Sequence, residues 1–138
     1  MSINNLLVPN TNSLYGSNIQ VSYFLQNVNF GVTGTHVIAQ LPTNYSFIPT
    51  SFTTAITSMV GSTAAPVISL GSETLSYGNI TSGHTLLDVN NSTNCSTVVC
   101  SVAELCPAND TLGIIIVDSA EANTYVGDVY VTGFLKGT

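Results

Sequence analysis

Three observations make this chain an all-β sandwich. Apolar residues alternate at period two in several short segments, and no stretch of about eleven residues or more holds helical periodicity. Val, Ile, Thr and Tyr are plentiful, whereas the helix formers Lys, Arg, Glu and Gln are few. In an extended strand successive side chains point to opposite faces, so alternation sorts one set into a core and leaves the other outside. At 138 residues the chain suits a single core, and folding at that length buries about two-thirds of the unfolded surface.

The elements follow in order. Ile19, Val21, Tyr23 and Leu25 alternate with Gln20, Ser22 and Phe24, which places four apolar side chains on one face of a first strand. A second runs from about Phe30 through Val37, Ile38 and Leu41 to Pro42, whose missing N–H helps to end it. Ser51 to Val60 sets Phe52, Ile56 and Val60 on one face and Ala55 and Met59 on the other, and Gly61 to Ala65 is the turn behind it. Pro66 opens a short strand, Val67 to Leu70, that Gly71 closes. Thr85 to Val89 reads as another strand, and Asn90 to Asn94 as a polar loop. Leu112 to Val117 is a near-continuous apolar run between Asp110 and Asp118, the pattern of a strand buried on both sides. Tyr125 to Leu135 offers Val126, Val129, Val131 and Phe134, with Gly127 and Gly133 as bulge or bend points. About eight strands at short, even spacing predict a jelly-roll-type β-sandwich for residues 19–138. Residues 1–18 fit less well: Leu6, Leu7, Val8, Leu14 and Tyr15 sit among Asn, Pro, Ser and Gly. They read as an extended arm that packs on a neighbour, or as a plain first strand of the same sandwich.

Charge sets the limits on partners. Only 6% of the residues are charged, against about a quarter in an ordinary domain, while 44% are hydrophobic. Such a chain folds rather than staying disordered, and its solubility rests on Ser, Thr and Asn. Neutral hydroxyl and amide surfaces repel one another weakly and suit a protein packed against neighbours. Lys136 is the single basic residue against seven acids, a formal net charge of −6. Phosphate neutralisation is out of reach, so nucleic acid is not expected as a partner, nor is an anionic membrane. The start MSINNLLVPN has neither a basic n-region nor a sustained apolar stretch, which predicts synthesis in a cytosol without a signal peptide. Asn-x-Ser/Thr triplets begin at Asn44, Asn79, Asn90, Asn91, Asn94 and Asn109, but in so Ser/Thr-rich a chain chance supplies several.

Catalytic chemistry has little to work with. His36 and His84 are the only histidines. Ser82 and Asp88 lie near His84 in sequence, yet along an extended chain they need not converge, and no Gly-x-Ser-x-Gly elbow exists. The plainer reading of His84 is an exposed turn histidine. The acids are isolated, and the chain lacks Trp for a sugar platform. Asp88 with Asn90 and Asn91, or Asn109 with Asp110, could offer oxygens to calcium, although turn formation explains the same residues. Cys95, Cys100 and Cys106 leave three readings open: free thiols, a Cys95–Cys100 disulfide, or zinc with His84 at an unusual spacing. The expectation is a protein that is not an enzyme and carries no cofactor.

The order Leu41-Pro42-Thr43-Asn44-Tyr45-Ser46-Phe47-Ile48-Pro49-Thr50-Ser51-Phe52, a Thr-rich strand, then Ala65-Pro66-Val67-Ile68-Ser69-Leu70-Gly71, resembles small bacteriophage virion jelly-roll proteins. The ending Gly127-Asp128-Val129-Tyr130-Val131-Thr132-Gly133-Phe134-Leu135 is similar to the last strand of that group. The group comprises capsid cement or decoration proteins and head- or tail-fibre domains. The resemblance implies a homotrimer on the virion, bound to the major capsid protein, or alternatively a fibre domain that recognises host glycans. In this reading Tyr45 to Pro49 is an apolar turn that plugs one end of the sandwich.

Overall fold

A computed structural model describes residues 19–86, 94–100 and 105–138, residues 94–96 by their backbone alone. The arm assigned to Leu6, Leu7, Val8, Leu14 and Tyr15 lies outside the described residues, as do Asp88, Asn90 and Asn91. Eight strands follow one another: β1 Ile19–Asn29, β2 Gly34–Gln40, β3 Tyr45–Val60, β4 Val67–Ser72, β5 Thr81–Thr85, β6 Asn94–Val99, β7 Thr111–Asp118 and β8 Thr124–Gly137. A 3₁₀ turn at Glu73–Leu75 is the one helical element among the described residues. None of the described helices is long and apolar enough to cross a membrane.

The strands form two four-stranded antiparallel sheets, ordered β1-β8-β3-β6 and β2-β7-β4-β5. Their pairing is nested: β1 with β8, β2 with β7, β3 with β6 and β4 with β5. A long antiparallel hairpin with its turn between β4 and β5 gives this nesting when it is rolled up, and the β3–β8 and β4–β7 ladders then join the pairs within each sheet. That is the jelly-roll order, and the predicted fold class holds. Between the sheets Phe30, Phe47, Phe52, Leu112, Ile114, Val129 and Val131 are sealed from solvent. Each such side chain contributes about 1.5–3 kcal/mol by leaving water.

Several elements differ from the sequence reading, and β3 shows why. Tyr45–Pro49 is no plugging turn; it is the first part of β3, paired with Gly137–Gly133 of β8. The strand carries bulges at Pro49/Ser51 and Ile56/Ser58. Each extra residue reverses the parity of the side chains. Phe47 and Pro49 therefore face inward before the first bulge, Phe52, Thr54 and Ile56 between the two, and Met59 after the second. Val60, expected beside Phe52 and Ile56, is instead exposed. The two bulged threonines donate their hydroxyls to β8 carbonyls, Thr50 to Thr132 O at 3.0 Å and Thr57 to Val126 O at 3.2 Å.

In β8 the glycines sit opposite those bulges. A Cβ on Gly133 would lie 2.1 Å from Ile48 O, and one on Gly127 2.6 Å from Ala55 O, so only hydrogen lets the bulged backbone approach. The inward residues of β8 are Tyr125, Gly127, Val129, Val131, Gly133 and Leu135. Val126 and Phe134, read as part of the apolar set, lie on the opposite face. β2 is shorter than expected, and Phe30 belongs to the loop before it, bonded to Tyr125 O at 2.9 Å. β5 starts four residues earlier than the predicted Thr85–Val89. β6 occupies a stretch with no strand prediction. β7 is not covered on both sides: Leu112, Ile114 and Ile116 are buried, but Val117 is 48% exposed.

Candidate interaction surface

The register fixes which side chains share the outer face of the β1-β8-β3-β6 sheet. Phe24, Tyr130, Thr53 and Thr97 form one row across the four strands, and Ser22, Thr132, Ser51 and Val99 the next. Within the first row the Phe24 and Tyr130 rings lie 6.0 Å apart at 30°, and the Thr53 and Thr97 hydroxyls are 2.8 Å apart. Ser22 and Thr132 meet at 3.4 Å in the second. Phe24 is 54% exposed and Val99 74%. The carboxylate on this face belongs to Asp128, whose Oδ1 accepts the Asn27 N–H at 2.9 Å. Asn27 holds φ of 59° at the β1 bulge, so this charge is engaged in fixing the edge strand. Lys136 is exposed near the end of β8, opposite Ser46.

Two polar clusters lie at the end of the sandwich where β4 turns into β5. The buried Asp110 carboxylate accepts the Thr74 N–H at 3.2 Å and the Thr111 N–H at 2.8 Å, and takes a short bond from the Thr74 hydroxyl. Burial pushes this carboxyl up, but the Thr74 hydroxyl and the two N–H groups pull it further down, to a net position below the usual carboxylate value. Beside it, Asn79 Oδ1 accepts the Ser72 N–H at 2.8 Å, while its Nδ2 donates to Cys106 Sγ at 3.2 Å. These contacts clamp the strained 72–80 loop, where Ser76 and Tyr77 both take positive φ. Tyr77 lays its ring over Gly113, where a Cβ would come within 2.7 Å of it. Burial, then Glu73 and Asp110, push its phenol up.

The sequence candidates are redistributed. His84 is not an exposed turn residue; it sits on β5, with its ring edge-on to Phe52 at 5.3 Å. The Asn109–Asp110 pair is a loop clamp, with the Asn109 carbonyl taken by Gln40 Nε2 at 2.9 Å. Cys95 lies in β6 and Cys100 just past its end, so roughly 16 Å of extended chain separates their Cα atoms, against at most about 7 Å in a disulfide. Cys100 and Cys106 carry free thiols that burial pushes up. Among the described residues no three His, Cys, Asp or Glu side chains gather as metal ligands. Sequence reading missed the aromatic and hydroxyl rows of the first sheet. Their signal was Phe24, an aromatic in the solvent phase of an alternating strand.

No protein-family model matches the chain, and neither does any curated protein. Among solved structures, a chain of the cyanophage Pam1 capsid asymmetric unit superposes with a TM-score of 0.58 at 14% identity, over 94% of this chain and 92% of that one. The two chains are therefore similar in length, and they share a fold.

Proposed function

We propose that this protein is a structural component of a phage virion, a trimeric cement or decoration protein that binds the major capsid protein and stiffens the shell without catalysing a reaction. The observation that carries the reading is the near end-to-end likeness to a small chain of a capsid asymmetric unit. The scarcity of charge and the exposed Phe24 and Val99 among the outer hydroxyl rows support it, because apolar side chains there gain by being covered. The mechanism is added burial: each Å² of apolar surface removed from water contributes about 25 cal/mol, repeated over many copies. Residues 1–18, with Leu6, Leu7, Val8, Leu14 and Tyr15, are the segment assigned to gripping a neighbour.

The test is sedimentation of purified protein with shells of the major capsid protein that lack it. Saturable co-sedimentation and a raised shell disruption temperature are expected; protein that stays in the supernatant overturns the reading. A fibre domain that binds host glycans is the second reading. The Phe24–Tyr130 pair beside Ser and Thr hydroxyls favours it, being a surface on which a sugar ring can stack. Glycan-array binding that is lost in Phe24→Ala, together with absence from shells, would select it.

A further inference from the structure

We infer that the outer face of the β1-β8-β3-β6 sheet is where copies of this chain meet, an inference that rests on the oligomer proposed above and assigns its contact surface. Charge points to that occupant. Two copies of a chain with net charge −6 pack most readily through a patch that carries no net negative charge. The first sheet presents one: among its described strand residues Asp128, bonded to the Asn27 N–H, is the one acid and exposed Lys136 the one base, and the rows between them are Phe24, Tyr130, Thr53, Thr132 and Val99. The second sheet does not. Exposed Asp118 stands in β7 beside Val117, and exposed Glu73 stands on the 72–80 loop that lays Tyr77 over Gly113.

Size agrees with charge. Four strands about 4.8 Å apart span roughly 19 Å, and the 14 residues of β8 run over about 45 Å. The face is then on the order of 800 Å², the area each partner gives to a stable interface. Its chemistry is that of an interface centre, with aromatic anchors flanked by hydroxyls that can donate and accept, so a copy can satisfy a copy. Three such faces turned inward about an axis would bring Phe24 and Tyr130 of each copy together away from water.

Light scattering on the full chain tests the inference through Phe24→Lys and Tyr130→Lys, with Val37→Lys and Val117→Lys on the other sheet as controls. Circular dichroism checks that each variant keeps its strands. The expected wild-type mass is a multiple of the 14.4 kDa chain. Each first-sheet lysine should weaken self-association at least about 30-fold and return the protein to a single chain, and the controls should leave it unchanged. A wild-type monomer overturns the inference, as does an oligomer indifferent to Phe24→Lys and Tyr130→Lys. Shell co-sedimentation reads the capsid role separately: a monomer that binds shells, and loses them on Phe24→Lys, would hand this face to the capsid instead.

Discussion

The two sheets bury the same kind of inner face and differ on the outside. Over β1-β8-β3-β6 the outward rows are aromatic and hydroxyl, with Asp128 tied to the backbone at the β1 bulge. Over β2-β7-β4-β5 part of the outer face is closed by the chain itself, where the 72–80 loop lays Tyr77 across Gly113 and Asp110 clamps that loop from behind. The first sheet spends its irregularity within the ladder, on bulges and facing glycines that shape a continuous surface. The second spends it on a loop that covers its surface. One face is partly covered by the fold, with Val37 and Val117 left exposed, and the other carries its aromatic and hydroxyl rows without a covering loop among the described residues.

Glycine substitution breaks this comparison hardest. At Gly133 an added Cβ falls 2.1 Å from Ile48 O and 2.8 Å from Pro49 Cα, both backbone atoms held in the central ladder. Gly133→Ala should therefore cost about 3 kcal/mol and open the β3–β8 pairing. At Gly113 the nearest atoms belong to the Tyr77 ring, with His36 O at 2.9 Å, so part of the obstruction can swing away. Gly113→Ala should cost about half as much, and it should release Tyr77, read as a shift in tyrosine absorbance. Urea unfolding of the two variants checks the order; a larger loss at Gly113 would mean that the covering loop, not the bulged ladder, is the less yielding part.

Asp110 tests the clamp through pH. Its folded pKa is below the ordinary value of 3.8, so its ionised form is favoured by folding. The stability it contributes is complete above the unfolded value and is lost as pH falls below about 3.8 toward the depressed folded value. Wild-type urea midpoints measured from pH 6 down to about 2 should therefore fall below pH 4. Asp110→Asn should lose about 2 kcal/mol at neutral pH, since it weakens hydrogen bonds to a charged acceptor. The same variant should show a flatter acid limb. An equally steep limb in Asp110→Asn would assign the acid sensitivity to another carboxylate.

Alternation made most of the architecture legible. Ile19, Val21, Tyr23 and Leu25 fell on the packed side of β1 as read, and the apolar run at β7 marked a central strand. Faces failed where a bulge intervened. Strict period-two counting carried Val60 inward and Met59 outward, and one extra residue near Thr57 reversed both. β6 escaped because Thr97 and Val99 face outward and, among its described side chains, Val98 alone packs on the core, so its sequence carries little core pattern. Asp110 and Asn79 read as ordinary turn residues, and so they are, but the partners that make them clamps, Thr74 and Cys106, are 36 and 27 residues away in sequence. The Phe24 and Tyr130 row could not be assembled at all from local pattern, because it is set by β1–β8 register across more than a hundred residues.

The smallest effect is expected in that same open face. Thr53 and Thr97 share a hydroxyl contact at 2.8 Å between β3 and the edge strand β6. Thr53→Val keeps the shape and the β-branched preference for strand and removes one hydrogen bond that water can replace, so the isolated chain should change by no more than about 0.5 kcal/mol in urea. If the outer rows exist to meet another copy, the deficit should appear in association rather than folding, because there the Thr97 hydroxyl would lose both its neighbour and its water. A folding loss above about 1 kcal/mol would instead make the threonine pair a fastening for β6, and would take the hydroxyl rows out of the argument for a presented surface.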